Sequence, residues 1–228
     1  LGYAPVFRFA EERYVSGECR GDAGVRMEVV ESADGVTEEL FAYFSRKAGE
    51  RDCCVLHPRE DFCAVVEDLF AGGGKLVATR GAGTELLTGL AFAVPEQEGG
   101  LVTDWTYDSP EAKEALAAGT LAALGVGETR CRSVACGEAG EVRGMARVID
   151  AEQVLRLYAR KHVEEEFAVR LTDEQLPVNS GTYAVRGGAL LRGEAVRTLP
   201  VVEMTIGELT RMVTSGGKNA PFMALMLD

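Results

Sequence analysis

Residues that hold metals are scarce in this sequence. It has two histidines, His57 and His162, and neither stands at ligand spacing from a second ligand. Its six cysteines (Cys19, Cys53, Cys54, Cys63, Cys131 and Cys136) include no C-x-x-C pair. A zinc site is therefore not expected. No apolar run approaches the roughly 20 residues that span a bilayer, and no signal peptide is visible, so no membrane partner is expected. There is no internal repeat and no low-complexity tract. Basic residues are also in short supply. Lys and Arg number 24 against 36 Asp and Glu, a formal net charge of −12. Such a chain repels phosphate backbones, which argues against nucleic acid as a partner. The acidity has two open readings: solubility, or attraction of a cationic substrate such as an amine into a carboxylate-lined cleft. An even cysteine count permits disulfides, but a chain of this size with this much core does not need them, and free thiols in a reducing cytoplasm are expected.

What is present is a globular composition. Of 228 residues, 46% are apolar and 26% charged, enough to build one large or two small cores. The periodicity predicts strands over 5–15, 25–31, 75–80, 85–94, 100–106 and about 129–135, with helices over 36–48 and 110–124. A further helix carries Phe62, Val65, Val66, Leu69 and Phe70, with Asp61 or a neighbour as its cap, Cys63 as a small core residue, and Gly72-Gly73-Gly74 at its end. After Gly144 the pattern gives a strand at 145–149, a helix at 151–161, a strand at 166–171, a strand entering a Gly-Gly hairpin near 187–188, a strand at about 199–203 and a helix at 205–214. This order predicts an α+β fold of two domains with mainly antiparallel sheets.

Three glycine-rich segments invite a phosphate-binding reading. FAGGGKLV at 70–77 has a helix before its glycines and a strand after them, the reverse of a P-loop. RGAGTE at 80–85 resembles part of an acyl-CoA pyrophosphate loop, but Glu85 stands where the last glycine belongs and a strand follows. LGVGETR at 124–130 also leads into a strand. All three read as connections. A nucleophile pair of Cys53 or Cys54 with His57 is conceivable, although closeness in sequence does not supply the geometry. Trp105 and Tyr107, with Asp104 and Asp108 nearby, form an aromatic-acidic cluster that reads either as a ligand-pocket wall or as a strand end with half-buried aromatics.

Two sets of residues resemble a known family. LGYAPVFRF at 1–9 is similar to the final hairpin of a GNAT-type N-acetyltransferase domain. GMARVIDAEQVL at 144–155, LPVNSGTYAV at 176–185, MTIGELTRMVTSG at 204–216 and PFMALMLD at 221–228 together resemble the C-terminal, sterol-carrier-protein-like domain of the Eis-type acetyltransferases. The resemblance implies three pieces: residues 1–16 as the remnant of an N-terminal GNAT domain, 17–140 as a degenerate GNAT-like domain, and 141–228 as the sterol-carrier-like domain. It implies that the acetyl-CoA loop and the tyrosine general acid lie before Leu1, which, lacking a methionine, is not expected to be the natural start. The intact protein would use acetyl-CoA, and no cofactor-binding residue is expected in this chain. The resemblance leaves one site residue here, Asp228, whose terminal α-carboxylate reaches the acetyl-transfer site in that family. The expected role is a non-catalytic scaffold and pocket wall of an N-acetyltransferase acting on a small amine, homo-oligomeric when intact. The alternative is a module that binds an apolar ligand or drives oligomerisation.

Overall fold

The computed structural model describes residues 2–19, 24–50, 55–134, 140–192 and 199–214. They form α+β structure with two sheets. The chain divides into two compact units, Phe9–Glu141 in one and Leu1–Arg8 with the chain from Val142 through the last described helix in the other. The first strand, β1 (Ala4–Val15), contributes residues to both.

The first unit continues with β2 (Val25–Val30), α1 (Glu38–Gly49), α2 (Arg59–Ala71), β3 (Lys75–Gly81), β4 (Leu87–Pro95), β5 (Gly100–Tyr107), α3 (Pro110–Leu124) and β6 (Glu128–Val134). The strand order is β2-β3-β4-β5-β6-β1, with β7 (Glu141–Ala146) beyond β1. Side chains alternate across the sheet, as the twofold period requires. Leu76, Ala78, Leu90 and Phe92 join α1 and α2 in one core, while Val77, Ala91 and Ala93 meet α3 in another. In the first core the Phe62 ring lies tilted against Phe44 at 5.1 Å and edge-on to Phe92 at 6.2 Å between centroids. In the second, α3 approaches closely because it is rich in small residues. A Cβ on Gly119 would lie 2.0 Å from Met27 Sδ and 3.0 Å from Val77 Cγ1.

Helix boundaries follow from capping chemistry. Thr37 accepts from the Leu40 amide at 3.3 Å at the head of α1. Ser109 accepts from the Ala112 amide at 3.2 Å at the head of α3, Pro110 fills the first turn, and Gly125 closes the helix at φ +67°. The head of α2 corrects the expectation that Asp61 or a neighbour caps it by its side chain. Extended Pro58 precedes Arg59 with no side-chain cap, and Asp61 lies in the first turn, where a carboxylate favours the positive end of the helix dipole. Cys63 is half-buried on the shoulder of α2 rather than in the core, since Phe62 and Val66 occupy the inward stripe.

In the second unit, β7 is followed by α4 (Ala151–Lys161), β8 (Phe167–Thr172), a 3-10 turn (Pro177–Asn179), β9 (Gly181–Arg186), β10 (Ala189–Arg192), β11 (Val201–Thr205) and α5 (Ile206–Thr214). Its own sheet runs β10-β9-β8-β11, with β11 parallel to β8. The β9–β10 turn uses Gly187 and Gly188 at φ +56° and +77°, the left-handed pair that suits a two-residue hairpin. Leu155 from α4 and Leu209 and Ile206 from α5 pack with Val169, Leu171 and Tyr183 of the sheet. The strand expected at 145–149 ends instead at Ala146. Beyond it the Val148 amide is taken by the Thr210 hydroxyl at 3.0 Å and the Arg147 side chain by Asp173, so the segment leaves the ladder.

Candidate functional site

Among the described strand pairings of the first unit, one departs from the antiparallel pattern. Strands β5 and β6 are parallel, joined through α3 in a β-α-β unit. In such a unit the carboxyl end of the first strand and the amino end of the helix make a natural ligand crevice. The two strands pair only over Gly100↔Thr129, Leu101↔Arg130 and Val102↔Cys131. Pairing stops where β5 carries a bulge: Ala93 of β4 opposes Val102, but Phe92 opposes Asp104, leaving Thr103 as the extra residue. Its hydroxyl donates to the Phe92 carbonyl at 3.3 Å. A bulge bends a strand and re-aims the side chains beyond it. Here it puts Trp105 on the same face as Val102, toward α3.

The space beyond the last parallel pair is therefore built by Trp105 and Tyr107 of β5, Ser133 of β6, Glu12 and Tyr14 of β1, and Lys113 in the first turn of α3. Trp105 Nε1 donates to Ser133 Oγ at 2.9 Å. Ser133 Oγ in turn donates to Glu12 Oε1 at 3.3 Å, and Tyr14 donates to Glu12 Oε2 at 3.1 Å. Lys113 Nζ donates to both Glu12 oxygens, at 2.8 and 2.6 Å. The same ammonium lies 5.3 Å from the Trp105 ring centroid and 5.7 Å from that of Tyr107. Trp105 meets Tyr14 and Tyr107 edge-on at 5.8 and 5.4 Å. Burial opposes charging both ions, yet the Lys113 contact holds the Glu12 carboxyl below its ordinary value, and Glu12 holds the Lys113 ammonium above its own. Burial first, and the Glu12 carboxylate second, push the Tyr14 phenol up.

No family model matches the sequence, and no curated protein matches it. Solved structures do share its fold. A probable N-acyltransferase from Enterococcus faecalis V583 superposes with a TM-score of 0.66 at 14% identity. A GCN5-related N-acetyltransferase from Anabaena variabilis ATCC 29413 gives 0.65 at 14%, and Eis1 from Mycobacterium abscessus 0.57 at 17%. They match 94%, 94% and 95% of this chain, which covers 59%, 59% and 60% of theirs. The chain thus spans about three fifths of the length of these structures.

The chain has a GNAT-type fold.

Acetyl-CoA, the cofactor expected from the sequence resemblance, can be tried against the residues of the crevice. The amino end of α3 would have to meet a pyrophosphate. Its donors are instead engaged from within: Ser109 takes the Ala112 amide, Pro110 has none to give, and the Glu111 carboxylate accepts from its own backbone amide and from Ser109, which lowers its pKa. Asp108 adds a second carboxylate at the same place, paired with Lys47 at 3.2 Å and Arg46 at 3.7 Å. The gap between β5 and β6 is filled by Trp105, which is 5% exposed. These residues do not fit a CoA pyrophosphate, and no chemical step through the cofactor follows from them.

Gly72 caps α2, Gly81–Leu86 turn between β3 and β4, and Gly125 caps α3, so each glycine segment is a connection. Arg80 of the second segment is tied to Glu39 at 2.9 Å and Glu28 at 3.0 Å. His57 faces Asp61 at 3.7 Å, while Cys53 and Cys54 lie outside the described residues, as do Cys136 and the site residue Asp228. His162 stacks on Tyr158 at 4.2 Å. Of the aromatic-acidic cluster, Trp105 and Tyr107 enter the crevice. Asp108 turns to α1, and Asp104 is buried. Sequence reasoning missed Glu12, Tyr14, Lys113 and Ser133. One signal was available: a lysine in the first turn of a helix opposes the helix dipole and calls for a compensating carboxylate.

Proposed function

We propose that this chain is the non-catalytic scaffold and substrate-pocket part of an acetyl-CoA-dependent N-acetyltransferase acting on a small amine. In this reading the first unit is a degenerate GNAT-like domain and the second a sterol-carrier-like domain. Acetyl-CoA is bound by a further domain ahead of these, and the intact protein is a homo-oligomer.

The observation that carries the reading is the filled crevice. The chain shares its fold with N-acetyltransferases over nearly its whole length, yet the gap between its parallel strands is closed by Trp105 and the Glu12–Lys113 pair. Calorimetry with acetyl-CoA tests it. The 228-residue chain is expected to give no saturable heat, and a longer chain carrying the preceding domain is expected to bind. Saturable binding by the 228 residues alone would move the cofactor site into this chain and sink the proposal.

A further inference from the structure

The groups around the Lys113 ammonium are those that recognise an organic ammonium ion: one carboxylate offering both oxygens, and two aromatic rings close to the charge. Each wall is fixed by something other than Lys113. Glu12 receives the Tyr14 and Ser133 hydroxyls, Ser133 receives the Trp105 indole N–H, and Trp105 is braced edge-on by both tyrosines. All five walls stand on strands β1, β5 and β6, whereas the ammonium comes from helix α3. A site whose walls are held by their own strand framework remains formed when its occupant is removed.

We propose that this crevice is a preformed ammonium-binding box kept filled in cis by Lys113, and that it takes a short primary alkylammonium when that side chain is cut back. The inference rests on these contacts alone and goes beyond the acetyltransferase reading. Its consequence for the native chain is a latch: the first turn of α3 is fastened to β1, and the box is closed to free amines. Primary amines suit it better than quaternary ones, because two N–H donors reach Glu12.

The test uses Lys113→Ala, which removes three methylenes and the ammonium, together with n-propylammonium, which replaces them. The variant is expected to bind n-propylammonium with a Kd on the order of a millimolar, as befits so few atoms. Tetramethylammonium should bind at least tenfold more weakly, and Lys113→Ala with Glu12→Gln should bind n-propylammonium at least tenfold more weakly. The wild-type chain should show no saturable binding. A variant that folds only when n-propylammonium is added would support the same conclusion. If a folded Lys113→Ala binds no tighter than the double variant, or the wild type binds as well as the variant, the box does not exist as described. A second measurement avoids truncation. Reductive methylation of the native chain, followed by mass spectrometry, should modify Lys113 at least tenfold more slowly than exposed Lys161, and Glu12→Gln should remove most of that difference. Equal rates at Lys113 and Lys161 in the wild type would overturn the proposal.

Discussion

Arg147 and Asp173 meet almost out of reach of water. The guanidinium donates to both carboxylate oxygens, at 2.6 and 2.9 Å, with side chains 6% and 1% exposed. The rest of the carboxylate's capacity is used as well: Asn179 donates at 2.9 Å, and the amides of Gln175 and Leu176 at 3.1 and 3.0 Å. Asn179 in turn accepts the Ala151 amide at 3.1 Å and, through its carbonyl, the Tyr183 hydroxyl at 2.9 Å. A pair buried in this way is costly to break one side at a time, because the survivor remains charged and unpaired. Asp173→Ala is expected to destabilise the second unit by roughly 3–5 kcal/mol. Urea unfolding monitored by circular dichroism measures it. A change under about 1 kcal/mol, the usual scale for an exposed pair, would contradict the burial described.

The same carboxylate sets an acid limit. Burial alone would raise its pKa, but Asn179, the Leu176 amide, Arg147 and the Gln175 amide together lower it from 3.8 to about 2. The unfolded chain therefore takes up this proton more readily than the folded one. The stability that Asp173 contributes is complete above about pH 4 and is lost as the pH falls toward 2. The difference in urea midpoint between the native chain and Asp173→Asn should be constant from pH 7 to 5 and shrink between pH 4 and 2. A difference that grew over that range would reverse the assigned direction.

Phe62 is fully buried between α1, α2 and the sheet, in contact with the rings of Phe41, Phe44 and Phe92. Phe62→Ala should cost about 3–5 kcal/mol, with Phe62→Leu costing clearly less. Comparable losses from the two variants would show that the cluster does not depend on the ring.

Gly99 turns the chain between β4 and β5 at φ +88°, and a Cβ there would lie 2.7 Å from the Glu128 carbonyl oxygen. Neither the backbone conformation nor a backbone oxygen yields cheaply. Gly99→Ala is expected to lower stability by about 1–3 kcal/mol. Gly83→Ala, also at positive φ but with nothing near its Cβ, should cost less. Equal thermal midpoints for the two variants would leave the contact with Glu128 without energetic weight.

Much of the local structure was readable in the sequence because its causes are local. Helix α3 runs over 110–124 as expected, since Ser109, Pro110 and Gly125 each act within one turn. The Gly187-Gly188 hairpin and the β3-β4-β5 meander rest on equally short-range signals. The misplaced strand at 145–149 failed because Arg147 and Val148 obey partners 26 and 62 residues away. The candidate site failed for the same reason. Trp105 and Tyr107 stood out on composition, but Glu12 and Lys113 are 101 residues apart, and only the bulge at Thr103 turns the tryptophan toward them. Alternation along a strand predicts faces; it does not reveal where an extra residue resets them.

Strand β1 draws its sheet partner from far downstream, Phe9 opposite Val134 and Val15 opposite Glu128. On a ribosome adding 5–20 residues per second, β1 waits on the order of ten seconds for β6 to be made. A waiting strand is an invitation to mispair. The run Glu11-Glu12-Arg13 interrupts it with charge, the kind of residue that keeps unpaired strands from joining the wrong neighbour. Glu12 would then guard the nascent strand first and only later receive Lys113, so its replacement should lower the yield of soluble protein out of proportion to its effect on the finished fold.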